Sequence, residues 1–279
     1  MNPAISIVIR TFNSAGMLDA VLSRLARLPG DELIIVDSGS TDATLALAGK
    51  WNAQIIRTTG AFNYSRSLNL GFAAAKNPWV LALSSHCLPL SDSLVETFRQ
   101  AAQTFPATVA LAYGECAIVD RKNTATAAVF FADQTSPPAQ RLQVYTGNSL
   151  ALYRRAAWER RPFDETLPTG EDMAWFLGAL ADGAVAARVP SARVLYRNQG
   201  SLRHMFRKGW LESRQLIWLA GSPAPNLWQL GINWGSLLKK WGTGKIPAGT
   251  LLRQGAHALG AWLSPKFSGR HQLEHRTKP

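Results

Sequence analysis

Two hydrophobic patterns alternate along residues 5–83, and this alternation constrains the fold more than any other feature of the sequence. Short runs rich in β-branched residues predict strands, whereas apolar residues spaced three and four apart predict helices. The predicted strands are 5–9, 33–36, 54–56 and 79–83, and the predicted helices are 18–28, 41–49 and 65–75. Apolar strands separated by amphipathic helices are typical of βαβ units. We therefore expect a doubly wound α/β domain with a mostly parallel sheet.

Polar side chains follow three of the predicted strands. The segments are 10–13 (Arg-Thr-Phe-Asn), 37–42 (Asp-Ser-Gly-Ser-Thr-Asp) and 84–86 (Ser-Ser-His). Because ligands of doubly wound sheets bind beyond the carboxyl ends of the strands, these segments form a candidate nucleotide site. Neither a Gly-x-Gly-x-x-Gly turn nor a Walker loop follows the first strand. Taken singly, the same residues also fit local roles, with Asn13 or Asp42 as helix caps and Asp37 as a turn former.

The last part of the chain is basic and rich in tryptophan. Residues 203–279 carry twelve Lys or Arg against Glu212 and Glu274, and they hold six of the ten tryptophans. Basic side chains interleaved with Trp and Leu favour contact with anionic lipid headgroups. An amphipathic cap that buries its tryptophans on the main domain fits the same pattern. Since no zinc-finger, basic-zipper or RNA-recognition pattern occurs, we do not expect a nucleic-acid partner.

Composition and the amino terminus predict a cytoplasmic protein. Apolar residues make up 47% of the 279 residues, enough for one large core with a smaller attachment. Cys87 and Cys116 are the only cysteines, which excludes a disulfide framework and a four-cysteine zinc site and fits a reducing compartment. The pattern of a signal peptide is missing, and the apolar runs fall short of the roughly 20 residues of a membrane-spanning helix.

Five stretches of the sequence, in order, resemble the landmarks of family 2 glycosyltransferases, which are inverting enzymes with the GT-A fold. The stretches are IVIRTFN, IIVDSGSTD, FNYSRSLNLGFAAAK, LALSSHCLP, and TGNSLALYRRAAW followed by PFDETLPTGEDMAW. The combination of Arg-Thr-x-Asn, Asp-Ser-Gly-Ser-Thr-Asp and Ser-x-His resembles a bacterial, rhamnosyltransferase-like branch. The resemblance implies a GT-A catalytic domain over residues 1–210, and we expect residues 211–279 to form a basic, helical extension.

The resemblance implies that the strand ends bind a nucleoside diphosphate sugar. Asp37 would accept hydrogen bonds from the nucleobase or ribose, and Thr11 and Asn13 would lie at the edge of the base. Arg66 and Arg10 would neutralise diphosphate oxygens through their planar guanidinium groups. For Arg66, a solvated charge on a helix is the alternative interpretation.

Ser84 and His86 stand where most members of the family have Asp-x-Asp, whose second acid binds the divalent cation of the donor. A neutral imidazole can bind Mn²⁺ but suits Mg²⁺ poorly. A divalent cofactor (Mn or Mg) is therefore one of two alternatives, and the other is a site without a metal ion. His86 is the predicted metal or diphosphate contact, and Ser84 is a predicted donor contact. A structural histidine beneath a proline turn is the alternative.

A second departure from the family's pattern concerns the late motif Tyr-His-x-His, where this chain reads Tyr-Arg-Asn-Gln with Arg197 in the second position. An arginine repels a metal ion and attracts phosphate. If no metal binds, a protonated His86 beside Arg10 and Arg66 would carry the charge of the leaving group, together with Arg197.

Glu171 and Asp172 are the predicted catalytic pair. Family 2 enzymes displace a nucleoside diphosphate from the anomeric carbon in one in-line attack, which requires a base for the proton of the acceptor hydroxyl. The resemblance implies that Asp172 is this base, that Glu171 orients the acceptor or assists, and that Asn148 touches the donor sugar or acceptor. Adjacent carboxylates also raise each other's proton affinity. The segment 169–172 equally fits a capped helix with acids in its first turn, which is compatible with catalysis.

Three functions are compatible with these features. The first is an inverting glycosyltransferase that moves a sugar from a nucleotide sugar to a saccharide in cell-surface polysaccharide synthesis. We expect this acceptor to be lipid-linked at the inner face of the cytoplasmic membrane, where the basic, Trp-rich tail would dock the enzyme. The second is a catalytically silent nucleotide-sugar-binding protein on the same fold. The third is a nucleotidyltransferase with a related sheet, which ordinarily needs a Gly-rich signature and acidic metal ligands.

Overall fold

The computed structural model describes residues 2–117, 128–167 and 169–197, together with 202, 203, 206, 209, 235–239, 242, 243, 252, 255, 258 and 259. The chain divides into two compact units, Met1–Asn198 and Gln199–Pro279. All elements named below belong to the first unit. Most of the predicted extension 211–279, including every tryptophan in it, lies outside the described residues. Among the helices of the described part of the chain, none combines the length and the hydrophobicity that crossing a bilayer requires.

The first unit contains nine strands and seven helices within the described residues. In chain order they are β1 (Ile5–Thr11), α1 (Ala15–Leu22), β2 (Glu32–Asp37), α2 (Thr44–Lys50), β3 (Gln54–Arg57), α3 (Tyr64–Ala74), β4 (Trp79–Ser84), β5 (Cys87–Pro89), α4 (Leu94–Thr104), β6 (Val109–Ala117), β7 (Phe130–Ala132), α5 (Pro138–Val144), β8 (Leu150–Arg154), α6 (Arg155–Arg160), α7 (Glu171–Ala181) and β9 (Val185–Tyr196).

The strands form one mixed sheet in the order β3-β2-β1-β4-β8-β6-β9-β5, with β7 paired to β9. The pairs β1–β2, β1–β4 and β2–β3 are parallel, which confirms the βαβ prediction for the first half of the chain. The second half adds the parallel pair β6–β9 and antiparallel pairs that involve β8, β5 and β7. The predicted doubly wound α/β class is therefore confirmed, with an antiparallel part that the early periodicity did not cover.

The central strands are buried on both faces, whereas β3 is an exposed edge strand. Nearly every residue of β1, β2 and β4 is buried, while three of the four residues of β3 are exposed. Helix α3 packs closely against this sheet at Gly71, where a Cβ atom would overlap the side chains of Val8 and Val36. A glycine at this position therefore lets the helix approach the sheet.

Helix α1 is shorter than the sequence predicts. The apolar spacing predicts a helix through Leu28, but α1 ends at Leu22. The backbone N–H groups of Arg24 and Leu25 donate three residues back, to the carbonyls of Val21 and Leu22. Hydrogen bonds over three residues form a tighter turn than those of an α-helix, so the α-helix ends here. Leu25 is buried in the core from this turn, whereas Leu28 is exposed.

One edge of the sheet collects the segments that the sequence singled out. The parallel register pairs Thr11 with Asp37 and Arg10 with Ser84, so the last residues of β1, β2 and β4 lie side by side. Strand β8 runs the other way, and its first residue, Leu150, pairs with Leu83 near the end of β4. The residues just before β8 therefore reach the same edge as the ends of β1, β2 and β4.

Candidate active site

Asp37 and Thr11 form a buried, fully hydrogen-bonded pair at the ends of β2 and β1. One carboxylate oxygen of Asp37 accepts from Thr11 Oγ1 at 2.9 Å and from Ser40 Oγ at 2.5 Å. The other oxygen accepts from the backbone N–H groups of Gly39 and Ser40 at 3.0 and 2.9 Å. Asp37 is only 1% exposed, and these four bonds use all four of its acceptor positions. In this arrangement Asp37 orders the turn after β2, and its contact with a donor stays a prediction.

Asn13 lies at the surface and joins the turn after β1 to the turn after β2. Its backbone has a φ of 47°, its N–H donates to Ser40 Oγ at 2.8 Å, and its side-chain oxygen accepts from Thr41 N at 2.9 Å. The cap of α1 is Ser14 rather than Asn13. Asn13 is therefore placed beside Asp37 and Ser40, at the edge where the base contact was predicted.

Asp42 has the capping role that the sequence allowed. Its carboxylate accepts from the backbone N–H of Ala15 at 3.0 Å and from the N–H of Thr44 at 3.0 Å. These two residues are the first of α1 and α2. The hydrogen bond from the Thr44 hydroxyl lowers the pKa of Asp42, so the carboxylate that caps both helices stays ionised.

Arg10 connects the end of β1 with the pair Glu171 and Asp172. Its Nη1 lies 3.4 Å from Glu171 Oε1 and donates to the carbonyl of Tyr64 at 3.3 Å. The guanidinium carbon lies 5.1 Å from the centre of the Tyr64 ring, in a cation–π arrangement. The side chain is 21% exposed, so one part of the guanidinium can meet an incoming anion.

Glu171 and Asp172 open helix α7, as predicted. The cap residue is Gly170, in the left-handed conformation with a φ of 77°, and it supplies no side-chain hydrogen bond. Glu171 is 5% exposed. Burial raises the pKa of Glu171, the neighbouring Asp172 charge raises it further, and Arg10 opposes both.

Asn148 contacts both acids. Its backbone N–H donates to Asp172 Oδ2 at 3.0 Å, and its side-chain nitrogen lies 3.4 Å from Glu171 Oε1. Its side-chain oxygen accepts from the hydroxyl of Tyr153 at 2.5 Å, which orients the amide. Arg10, Asn148, Glu171 and Asp172 therefore form one contact network, although they come from three separate parts of the chain.

Ser84, His86 and Arg197 lie along the other side of the same edge. The backbone N–H of His86 donates to Ser84 Oγ at 3.3 Å, and the carbonyl of His86 accepts from the backbone N–H of Arg197 at 2.9 Å. The buried hydroxyls of Ser14 and Ser85 share a hydrogen bond of 2.9 Å, which ties the end of β1 to the end of β4. The two positions that depart from the family's pattern are thus neighbours in space.

The chemistry of these residues does not fit a divalent cation held by carboxylates. Ser84 and His86 offer one hydroxyl and one imidazole, Arg197 is a cation, and the carboxylate of Asp37 already accepts four hydrogen bonds. Within the ranges that the structure describes, no three His, Cys, Asp or Glu side chains converge as metal ligands do. A metal contact by His86 stays a prediction, and no step of the mechanism below depends on one.

Arg66 lies near the start of α3, two residues after the carbonyl that Arg10 contacts. Its Nε is 3.2 Å from Glu165 Oε2, and both side chains are more than 40% exposed. Asn69 also donates to Glu165, at 3.0 Å. The Arg66 guanidinium is therefore placed against the loop that precedes α7, and its contact with a diphosphate stays a prediction.

Three aromatic residues of the site were missed by the sequence reasoning. Tyr64 stacks with Arg10, Tyr153 orients Asn148, and Tyr145 lies beside Asp172. Tyr64 and Tyr153 lie within quoted landmark stretches and Tyr145 directly precedes one, but nothing in a local pattern says which way a tyrosine points. The glycine and asparagine of Thr-Gly-Asn were the signal that this loop approaches another group closely.

A cavity elsewhere on the first unit is lined by other residues than those of the candidate active site. It lies at the opposite end of β4, where Trp79 pairs with Arg154, and its lining includes Arg160, Trp175 and Asp182. None of its lining residues is a predicted site residue. The candidate active site is therefore defined by the convergence of functional side chains at the sheet edge.

The fold is the GT-A fold, as comparison with solved structures shows. A mannosyltransferase from Pyrobaculum calidifontis, solved with GDP-Man and Mn²⁺, superposes with a TM-score of 0.64 at 14% identity, over 96% of this chain and 89% of that one. Glucosyl-3-phosphoglycerate synthase from Mycobacterium tuberculosis, solved with Mn²⁺ and UDP, gives a TM-score of 0.59 at 18% identity, over 79% of this chain and 81% of that one.

The sequence comparison identifies the family. Residues 6–161 match the model of glycosyl transferase family 2, and the chain belongs to this family. A PGL/p-HBAD biosynthesis glycosyltransferase of Mycobacterium tuberculosis (strain ATCC 25177 / H37Ra) is 38% identical over 102 residues, which are 34% of this chain and 38% of that protein. The chain thus spans less than two fifths of the length of this curated relative.

Proposed function

We propose that this protein is an inverting glycosyltransferase that moves a sugar from a nucleoside diphosphate sugar to a saccharide acceptor. The observation that carries the proposal is the bridge made by Arg10. This residue directly precedes Thr11, the partner of Asp37, and it contacts Glu171 of the acidic pair. A diphosphate beside Arg10 would therefore place the anomeric carbon within reach of the acids, as single-step displacement requires.

The proposed reaction transfers one proton and exchanges one bond. The acceptor hydroxyl gives its proton to Asp172 while its oxygen forms a bond to the anomeric carbon, and the bond from that carbon to the phosphate oxygen breaks. Attack from the face opposite the leaving group inverts the configuration. Asp172 is half-buried and next to the edge, whereas Glu171 is buried against Arg10. We therefore assign the proton to Asp172 and an orienting role to Glu171.

The nucleoside diphosphate leaves with additional negative charge, which fixed cations can stabilise. We propose that Arg10 and Arg197, with His86 between β4 and β5, meet this charge. Ser84 would hydrogen-bond the same phosphates, and Arg66 would join them once released from Glu165. Two observations support this assignment. Strand register pairs Arg10 with Ser84 at the end of β4, and a backbone hydrogen bond joins His86, two residues further on, to Arg197.

The ligands of the structural neighbours support a proposal for the chemical class of the donor. Those proteins were solved with GDP-Man or UDP, and the sequence relative is named for the biosynthesis of PGL and p-HBAD. By analogy we propose a hexose nucleotide as donor, with Asp37, Thr11 and Asn13 forming the base and ribose edge. For the acceptor we propose a lipid-linked saccharide of a cell-surface polysaccharide.

We also propose that the protein works at the inner face of the cytoplasmic membrane. The basis is the sequence of residues 203–279, whose basic residues and tryptophans suit an anionic lipid surface. Truncation after about residue 220 should reduce flotation with anionic vesicles while donor binding persists. Flotation of the truncated chain equal to that of the full chain would overturn the membrane proposal and leave the transferase proposal standing.

The first experiment is a thermal-shift screen of the full chain with nucleoside diphosphates and their sugars, including UDP-glucose and GDP-mannose. A ligand that binds only the folded state raises the Tm. Release of nucleoside diphosphate from the stabilising donor is then measured for the wild type and for Asp172→Asn. We expect the substitution to lower the rate about 10²- to 10⁴-fold while binding persists.

Asp182→Asn is the matched control, because Asp182 ends the same helix and pairs with Arg161 at the surface. It should keep the wild-type rate. Donor binding with no sugar release in the wild type would favour the silent binding protein, and release of pyrophosphate with formation of a nucleotide sugar would reveal a nucleotidyltransferase.

The metal question has a separate test. The donor affinity is measured with a chelator and with Mn²⁺, for the wild type and for His86→Ala. If fixed cations hold the diphosphate, the chelator should leave the affinity unchanged, and His86→Ala should weaken binding equally in both conditions. If instead the chelator weakens donor binding to the wild type but has no effect on His86→Ala, a metal ion bound by His86 would be indicated.

A further inference from the structure

We propose that Tyr145, Gly147 and the backbone N–H of Asn148, all in the loop between α5 and β8, position the carboxylate of Asp172. This inference rests on the proposed function, since it assigns residues that act through the base. It adds two residues, Tyr145 and Gly147, that the motif analysis did not single out.

The carboxylate of Asp172 is held by two backbone N–H groups. Oδ2 accepts from Asn148 at 3.0 Å, and Oδ1 accepts from Met173 at 2.8 Å. One donor belongs to the loop and the other to helix α7, so the carboxylate is clamped between two elements. These two bonds leave each oxygen a second acceptor position, so the carboxylate can accept one further hydrogen bond from the protein and still receive the proton of a hydroxyl.

Gly147 is the reason why the loop can come so close. Its φ is 84°, a conformation that glycine adopts without cost, and a Cβ atom built at this position would lie 2.8 Å from Asp172 Oδ2. The same Cβ would lie 3.6 Å from the hydroxyl oxygen of Tyr145. Any side chain at position 147 would therefore push Asp172 away from the N–H of Asn148 or displace the loop.

The hydroxyl of Tyr145 lies beside the carboxylate of Asp172. Burial raises the pKa of Tyr145, and the charge of the neighbouring Asp172 raises it further, so the hydroxyl keeps its proton. The ring packs edge-on against Tyr113 of β6, with centroids 5.4 Å apart, and lies 5.4 Å from Phe176 of α7. These contacts fix the phenol, which is thereby placed to donate towards the carboxylate.

The loop is anchored to the sheet by a separate hydrogen bond. Thr146 Oγ1 donates to the carbonyl of Gly114 in β6 at 3.1 Å. The hydroxyls of Tyr145 and Thr146 thus have different tasks, because the first lies beside the base and the second bonds the sheet. Thr146→Val therefore provides a matched control for Tyr145→Phe: each removes one hydroxyl from the same loop.

The experiment measures the release of nucleoside diphosphate as a function of pH, with the donor that the wild type hydrolyses in the screen above. For Tyr145→Phe we expect kcat to fall about tenfold or more, the size of a lost hydrogen bond to a charged group, with the KM of the donor unchanged. The acid limb of the pH–rate profile should move to higher pH, because a donor that favours the charged base is lost. Thr146→Val should keep the wild-type limb.

Gly147→Ala should lower kcat further, since it displaces the base itself. Should this variant fail to fold, Tyr145→Phe carries the test, with its Tm as a measure of intact packing. A Tyr145→Phe profile that matches those of the wild type and Thr146→Val would overturn the positioning role. Full activity of Asp172→Asn would instead overturn the proposed function, so the two failures are distinguishable.

Discussion

Two arginine–carboxylate sites lie at opposite ends of β1, and they are built differently. At the first residue of the strand, Arg99 binds Asp31 with two bonds of 2.7 and 3.1 Å, and the side chains are 1% and 0% exposed. Asp31 also accepts from the backbone N–H of Ile5 at 2.8 Å. At the other end, Arg10 and Glu171 make a single contact of 3.4 Å, and Arg10 is 21% exposed.

The two ion pairs differ in how completely the arginine's donors are used within the protein. Arg99 is also bonded to Glu96 at 2.8 Å and to the carbonyl of Pro3 at 2.6 Å, so its donors are directed at the protein itself. The contacts of Arg10 with Glu171 and Tyr64 are longer than the usual 2.9–3.0 Å. Catalytic hydrogen bonds are often long before substrate binds, and they tighten in the complex. The longer contacts of Arg10 therefore support the proposal that it binds the donor.

The largest effect on stability is expected at the fully buried pair of Arg99 and Asp31, which we call the closed site. The pair of Arg10 and Glu171 is the open site. Arg99→Met would leave the carboxylate of Asp31 buried without its cation, which should lower the free energy of unfolding by about 3–5 kcal/mol. Urea denaturation followed by circular dichroism measures this. Arg10→Met is the matched variant at the open site, and it should cost less than Arg99→Met, because its single contact with Glu171 is 3.4 Å long and Glu171, whose pKa is already raised, can bind a proton when the cation is lost. Equal losses for the two variants would remove the distinction between the sites.

The largest effect on activity is expected at the open site. Arg10→Met should lower kcat/KM for the donor about tenfold to a hundredfold, the range expected when a charge-assisted hydrogen bond is lost. Arg155→Met is the control, because Arg155 pairs with Glu159 in an exposed contact of 2.9 Å on α6. A rate for Arg10→Met equal to that of the control would show that Arg10 does not contact the donor.

Glu171 should make stability depend on pH in a predictable direction. Its pKa is raised in the folded state, by burial first and then by Asp172. The folded state therefore binds the proton more tightly, and stability falls as pH rises from about 4.5, the ordinary value, through the folded pKa. Glu171→Gln should remove this decline. At pH values above the folded pKa of Glu171, the variant should therefore have a slightly higher Tm than the wild type, and its free energy of unfolding should be higher by less than about 1 kcal/mol.

The matched variant for this test is Glu96→Gln, which removes the half-exposed acid of the closed site. It should leave the decline with pH in place, since Glu171 is unchanged. A wild-type Tm that stays constant over the same pH range would contradict the raised pKa of Glu171. Thermal denaturation at a series of pH values gives both curves.

The smallest effect on stability is expected at Glu165, the partner of Arg66. Both side chains are more than 40% exposed, and exposed ion pairs contribute about 0–1 kcal/mol. Glu165→Gln should therefore change the free energy of unfolding by less than about 1 kcal/mol. If Arg66 binds the diphosphate, freeing it should strengthen donor binding, whereas an unchanged donor affinity would leave Arg66 a surface charge.

The sequence by itself determined the first four strands, the parallel half of the sheet and the position of the acids at a helix start. Each of these follows from residues close together in the chain, through periodicity or through the family's motifs. Strand periodicity indicated where β1, β2 and β4 end, and parallel register then brings those ends together. The prediction was wrong on the end of α1, since hydrogen bonds of a turn, and not the apolar spacing, decide where this helix stops.

Only the tertiary structure decided which side chains meet. The contact between Arg10 and Glu171 joins residues 161 positions apart, and that between Asn148 and Asp172 depends on a glycine whose missing side chain makes room. The full hydrogen bonding of Asp37 arises in the same way, from a turn closed against Thr11 of another strand. Distances of this kind are set by sheet register and packing, because local preferences fix the conformation of a segment but not the segment against which it folds.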